Sequence, residues 1–154
     1  MLTHLVDELV PSLIELRRAL HRHPELGFKE FETTKRIVAT LDAHGIPVKV
    51  RDSGAGAWIE LGEGERLVAY RADIDGLPLD EESGVSFASE NPGVMHACGH
   101  DAHTAIGVGV AVALAGSGPG STRDGRTGLA GGGSAKPGRR GSNRAAIGRS
   151  LAKR

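Results

Sequence analysis

Apolar periodicity runs through the first 115 residues of this chain and stops at Gly116, so only the part before that point can build a core. From Gly116 on, 11 of 39 residues are glycine, no aromatic occurs, and Leu129, Ile147 and Leu151 are the only large aliphatics. Such a segment buries too little apolar surface to offset the entropy of ordering it, and residues 116–154 are expected to be disordered. Charge divides at the same place. Residues 1–115 hold 10 Lys and Arg against 18 Asp and Glu, whereas residues 116–154 hold 9 against 1, a contrast hidden inside a net charge of zero. Two compositions share one chain.

Within the first part, Leu2, Leu5, Leu9, Leu13, Leu16 and Leu20 recur at three- and four-residue steps and predict an amphipathic helix. Pro11 either opens the main helix, where its missing N–H costs nothing, or kinks a longer one. His23-Pro24 ends it. A second helix is predicted from about Glu30 to His44, with Phe31, Thr34, Val38 and Leu41 on one face, Lys29, Glu32 and Lys35 exposed, and Gly45 followed by Pro47 as the stop. The period then falls to two, giving strands at 48–51, 57–61 and 66–71 with a turn at 62–64. Residues 72–103 show turn residues and clustered ionisable groups, as in loops that carry a site. Residues 105–115 are apolar nearly all round and predict a buried helix. This order of elements suggests an α/β layer architecture.

The densest chemistry lies in Met95-His96-Ala97-Cys98-Gly99-His100-Asp101-Ala102-His103-Thr104, where three imidazoles, a thiol and a carboxylate fall within eight residues. If residues 98–100 are extended, a two-residue step of roughly 6.6 Å puts the side chains of Cys98 and His100 on one side. Thiolate and imidazole together favour zinc or a neighbouring first-row metal, and manganese where carboxylates complete the site. The competing reading of Cys98 is an inert buried thiol. Asp101 also suits a helix N-cap, accepting from the backbone of His103 or Thr104, and His96 and His103 suit supporting or surface positions better than ligand positions.

A second cluster, Arg71-Ala72-Asp73-Ile74-Asp75-Gly76-Leu77-Pro78, follows a predicted strand. Two carboxylates at this spacing repel unless a cation or proton lies between them. Asp73 at a strand end suits a crevice site, whereas Asp75-Gly76 also reads as a simple turn. Glu81-Glu82 reads as a solvated acidic loop, and Arg18, His21 and Arg22 as cations complementing a helix C-terminus.

Taken together, Leu20-His21 with His23-Pro24-Glu25-Leu26-Gly27-Phe28, then the 71–78 cluster, then His96 to His103 closely resemble the amidohydrolase group of hippurate hydrolases, N-acyl-amino-acid hydrolases and auxin-conjugate hydrolases, related to the aminoacylase and carboxypeptidase metallopeptidases. The resemblance covers residues 1–115, about the first third of a family chain. It implies the N-terminal portion of a zinc-peptidase-like α/β catalytic domain, two divalent ions (Mn or Zn), and hydrolysis of the amide bond of an N-acyl amino acid. It also implies Cys98 and His100 as metal ligands and Asp73 as a catalytic support; Asp75, Asp101 and His103 are read beside them as groups that support the ligands or face the substrate. The full-length family carries a further domain that can mediate homodimers.

After residue 115 the family pattern continues with a glutamate pair and later histidines, but residues 116–154 contain neither Glu nor His. The change resembles translation in a shifted reading frame and implies an inactive chain. Two other readings stand beside the enzyme: a non-catalytic fragment, and a binding protein whose basic tail contacts nucleic acid. Absence of aromatic residues from that tail argues against the last. One cysteine excludes an internal disulfide, and no apolar run approaches the roughly 20 residues of a membrane span. A soluble, cytoplasmic protein is expected.

Overall fold

The computed structural model describes residues 2–62 and 68–117. Helix α1 spans Leu2–Arg22 and continues through Pro11. Pro11 lies on the exposed side of α1, where water can meet the carbonyl that the proline ring cannot serve. Leu9, Leu16 and Leu20 of the predicted stripe are buried and Leu5 and Leu13 partly so.

Helix α2 spans Phe31–Ala43. Its end follows from Gly45, whose φ of 68° lets its N–H reach Asp42 O (2.9 Å) while the Ile46 N–H reaches Leu41 O (3.0 Å). That pair of bonds is the Schellman arrangement, which satisfies the last carbonyls of a helix. Its buried face is rotated from the predicted one: Thr34 and Leu41 are buried as expected and Val38 is half-buried, but Thr33 and Ile37 join them and Phe31 is 43% exposed. The Thr34 hydroxyl donates to Glu30 O (2.5 Å) and accepts from the Gly56 N–H (2.8 Å), so hydrogen bonding fixes this polar position beside the apolar Ile37 and Leu41.

Strands β1 (Lys49–Val50) and β2 (Ala57–Trp58) pair antiparallel, with Lys49 opposite Trp58 and Val50 opposite Ala57. Of the strand predicted over 66–71, residues 66 and 67 lie outside the described residues, while 68–71 form no ladder among the described residues and Val68 is 61% exposed. The predicted turn at 62–64 lies outside the described residues except for Gly62.

Helix α3 spans His100–Gly116 and begins five residues earlier than predicted, absorbing residues assigned to a site loop. It packs on α1 at close range. A Cβ on Gly109 would come within 2.7 Å of Leu13 Cδ1, and one on Gly116 within 3.0 Å of Leu5 Cδ2. The core gathers Leu9, Leu16 and Leu20 of α1, Ile37 and Leu41 of α2, Val108, Ala111 and Val112 of α3, and Ile46, Ile59, Ala72 and Ile74 between the helices. Of the segment expected to be disordered, Gly116 ends α3 and Ser117 caps it, and residues 118–154 lie outside the described residues. No helix among the described residues is long and apolar enough to cross a membrane.

Candidate metal centre

Residues 71–76 alternate: Ala72, Ile74 and Gly76 are buried, while Arg71, Asp73 and Asp75 face outward. The alternation puts both carboxylates on one side of the segment. Two bridges hold its end. Gly76 donates its N–H to Glu25 O at 2.7 Å, and Leu77 exchanges backbone bonds with Met95 at 2.8 and 3.0 Å. Gly76 has no positive φ. It is instead a point of close approach, where a Cβ would meet Pro24 Cβ at 3.0 Å and Val94 Cγ1 at 3.1 Å.

Residues 98–100 are not extended. Cys98 stands exposed in a turn, Gly99 is left-handed with φ 74°, and His100 opens α3. Cys98 is therefore not the buried, inert thiol of the competing reading.

His100 Nδ1 lies 3.0 Å from the Asp75 carbonyl oxygen and 3.2 Å from Asp75 Oδ1. A carbonyl oxygen only accepts, so Nδ1 carries the hydrogen and the neutral ring keeps its lone pair on Nε2. His103 is the reverse. The Asp73 backbone N–H donates to its Nδ1 at 3.2 Å, which leaves the hydrogen of the neutral ring on Nε2. The Thr104 hydroxyl, 3.1 Å from Asp73 O and 2.7 Å from His100 O, ties the first turn of α3 to the acidic segment.

The carboxylate of Asp73 takes both Nε and Nη2 of Arg71, at 2.9 and 2.5 Å. Burial works to raise its pKa, but the Arg71 guanidinium outweighs it and leaves the carboxyl below its ordinary range. The structure thus sets Asp75, not Asp73, against His100.

Asp101 does not cap α3. Gly99 occupies the N-cap, and the Asp101 side chain, fully buried, turns to α1, accepting from Arg17 Nε at 2.6 Å and from His21 Nδ1 at 2.7 Å. His21 reaches Glu81 Oε1 with its other nitrogen at 2.9 Å. Glu81, read as solvated from sequence, has a side chain only 3% exposed and also accepts from the Ser89 N–H (2.6 Å) and the Ser83 hydroxyl. Burial would raise its pKa, yet the bonds from Ser83, His21 and Ser89 prevail and hold it down at about 2. Asp101 is likewise lowered, burial being outweighed by His21, the Ala102 backbone and Arg17.

His96 is 4% exposed and is therefore not a surface group. Desolvation lowers its pKa against the pull of Asp101.

Sequence reasoning missed His21, Arg17 and Glu81 as one cluster. A signal existed for two of them, since Leu13, Arg17 and His21 follow at four-residue steps along the inward side of α1. Among the described residues no group of three or more His, Cys, Asp or Glu side chains converges as a complete metal site.

Residues 69–123 match the model of peptidase family M20/M25/M40. The chain is 43% identical over 111 residues to the protein named "Probable hydrolase sll0100" of Synechocystis sp., and 48% identical over 102 residues to the N-acetyldiaminopimelate deacetylase of Halalkalibacterium halodurans. These alignments take in 70% and 64% of this chain but 28% of each relative. The crystal structure of the Bacillus subtilis YXEP protein, described as a dinuclear metal-binding peptidase of the M20 family, superposes with a TM-score of 0.67 at 44% identity, covering 71% of this chain and 31% of that one. Fold and identity agree that this chain carries part of an M20 peptidase family domain and belongs to that family.

Proposed function

We propose that residues 1–115 form the N-terminal part of a metal-dependent amidohydrolase domain acting on N-acyl amino acids, with 116–154 outside it, and that Cys98 and His100 supply two ligands of a two-ion divalent centre. The observation that carries this reading is the Asp75 carbonyl on His100 Nδ1. It commits that nitrogen and leaves Nε2 to coordinate, the arrangement found where a histidine binds metal and its other nitrogen is oriented by a neighbour. Cys98, exposed two residues earlier, fits a thiolate donor beside it.

A divalent ion held there would act as a Lewis acid on the amide carbonyl and make water a better nucleophile near neutral pH. The chain's own residues do the rest of what is proposed. Asp75 orients His100. Asp73, kept ionised by Arg71, supports the site from the adjoining segment. His103, with hydrogen on Nε2, donates to the substrate or to a group beside the ions. Asp101 anchors the turn from beneath.

The class of substrate rests on the relative named for removing an acetyl group from diaminopimelate, an N-acylated amino acid, and on the sequence motifs; hippurate is a suitable probe. A single cysteine that needs no partner is compatible with a reducing, cytoplasmic setting. Residues 116–154 supply neither Glu nor His, so this chain on its own is expected to bind metal without turning over hippurate.

The test is a Co2+ titration of the full chain followed by thiolate-to-cobalt absorption. The band should appear with the unaltered chain and vanish in Cys98→Ala and His100→Ala. An undiminished cobalt spectrum in Cys98→Ala would overturn the ligand assignment.

A further inference from the structure

We infer that His21 is a positioning residue for the metal-binding turn, an imidazolium bracket that fixes His100 and its orienting partner Asp75 relative to each other. The inference rests on the reading of His100 as a ligand.

Both ring nitrogens of His21 face carboxylate oxygens, Asp101 Oδ2 at 2.7 Å and Glu81 Oε1 at 2.9 Å. Ionised carboxylates only accept, so both contacts are hydrogen bonds only when both nitrogens carry hydrogen. With Arg17 on Asp101, the cluster is two cations and two anions, three of them with side chains at most 8% exposed. Ordinary core stabilisation would be met as well by apolar side chains, because a buried ion pair recovers little beyond its own desolvation.

The two arms of the bracket end on the two halves of the site. On one side Asp101 follows His100 directly in the first turn of α3. On the other, Glu81 accepts from the Ser89 N–H, and the Ser89 hydroxyl donates to Val94 O at 2.6 Å. Val94 precedes Met95, which pairs with Leu77 two residues after Asp75. One side chain from α1 therefore spans from the ligand to the carbonyl that sets its tautomer. Without it, Asp101 and Glu81 are left as buried carboxylates that repel, and the register between the two halves loosens.

The experiment compares the full chain with His21→Gln, Glu81→Gln and, as a control for stability alone, Ile37→Val in α2, whose side chain is buried in the apolar core. The first readout is metal-free: nitrogen-15 NMR of the His100 ring. The unaltered chain and Ile37→Val should show hydrogen on Nδ1 alone, and His21→Gln a mixture of tautomers. The second readout is the Co2+ titration, in which His21→Gln should bind about 10- to 100-fold more weakly, the usual cost of losing a group that orients a ligand, while Ile37→Val binds normally.

A wild-type tautomer and wild-type affinity in a folded His21→Gln would overturn the inference. If circular dichroism shows that variant unfolded, Glu81→Gln decides on the same readouts, with a smaller shift in the same direction expected and none overturning it. Absence of a cobalt band in the unaltered chain would sink the ligand reading, and the tautomer measurement would still judge His21 on its own.

Discussion

His100 and His103, one helical turn apart with ring centroids separated by 6.4 Å, hold their hydrogens on opposite nitrogens. The cause is backbone: a carbonyl of Asp75 faces one ring and an N–H of Asp73 faces the other. Two identical side chains thus present a lone pair and a donor respectively. His103→Ala should leave the cobalt–thiolate band at its wild-type energy, in contrast to His100→Ala; loss of the band in both would mean that His103 coordinates.

Asp75 reaches His100 through two oxygens, the carbonyl being the nearer. Asp75→Ala keeps the backbone acceptor and removes only the carboxylate. Cobalt affinity should fall by about 10-fold, the low end for groups that orient a metal-bound histidine. Complete loss of binding in the titration would assign Asp75 a larger part than orientation.

Glu81 is depressed from an ordinary 4.5 to about 2. A carboxyl lowered on folding contributes stability that is present above pH 4.5 and disappears as pH falls through about 2. Asp73 and Asp101 are lowered too and act in the same sense. Acid titration followed by circular dichroism should show stability declining across that window, and Glu81→Gln should be less stable at neutral pH with a shallower decline.

Gly76 leaves no room for a Cβ, which would stand 3.0 Å from Pro24 Cβ, 3.1 Å from Val94 Cγ1 and 3.3 Å from Met95 O. Gly76→Ala should destabilise by about 1–3 kcal/mol, as overpacked sites do, and weaken cobalt binding by displacing Asp75. Urea denaturation beside the titration measures both.

Thr34→Val preserves shape but leaves the buried Gly56 N–H without its acceptor. A loss of about 1–3 kcal/mol is expected, the cost of an unsatisfied buried donor. Thr34→Ser, which keeps the oxygen, should recover most of it in the same urea experiment.

The first helix was legible because its leucine spacing repeats over five turns, and Leu5, Leu9, Leu13, Leu16 and Leu20 meet the same core. The inward face of α2 was legible only in part: Thr34 and Leu41 are buried as their spacing predicts, but Ile37 and Thr33 share the face in place of Phe31, and the bond from the Gly56 N–H that fixes Thr34 is one a hydropathy pattern cannot register. The start of α3 was misplaced for a related reason. His100, Asp101 and His103 look like loop residues until Arg17 and His21, 84 and 80 residues before Asp101, meet its carboxylate. Glu81 was lost in the same way, being fixed by a histidine 60 positions away. Cys98, His100, Asp73 and Asp75 stood out as chemistry from their spacing alone, but which aspartate touches which imidazole depended on the bridge between Leu77 and Met95.

Gly99 meets no atom within 4 Å of where a Cβ would stand, so crowding does not explain its presence. Its dihedral does: at φ 74° any other residue would pay the left-handed penalty, about 1–2 kcal/mol. The spacer between thiol and imidazole is therefore dictated by chirality rather than by room, and a directed library at this position should return glycine first, with asparagine or aspartate as its nearest substitutes.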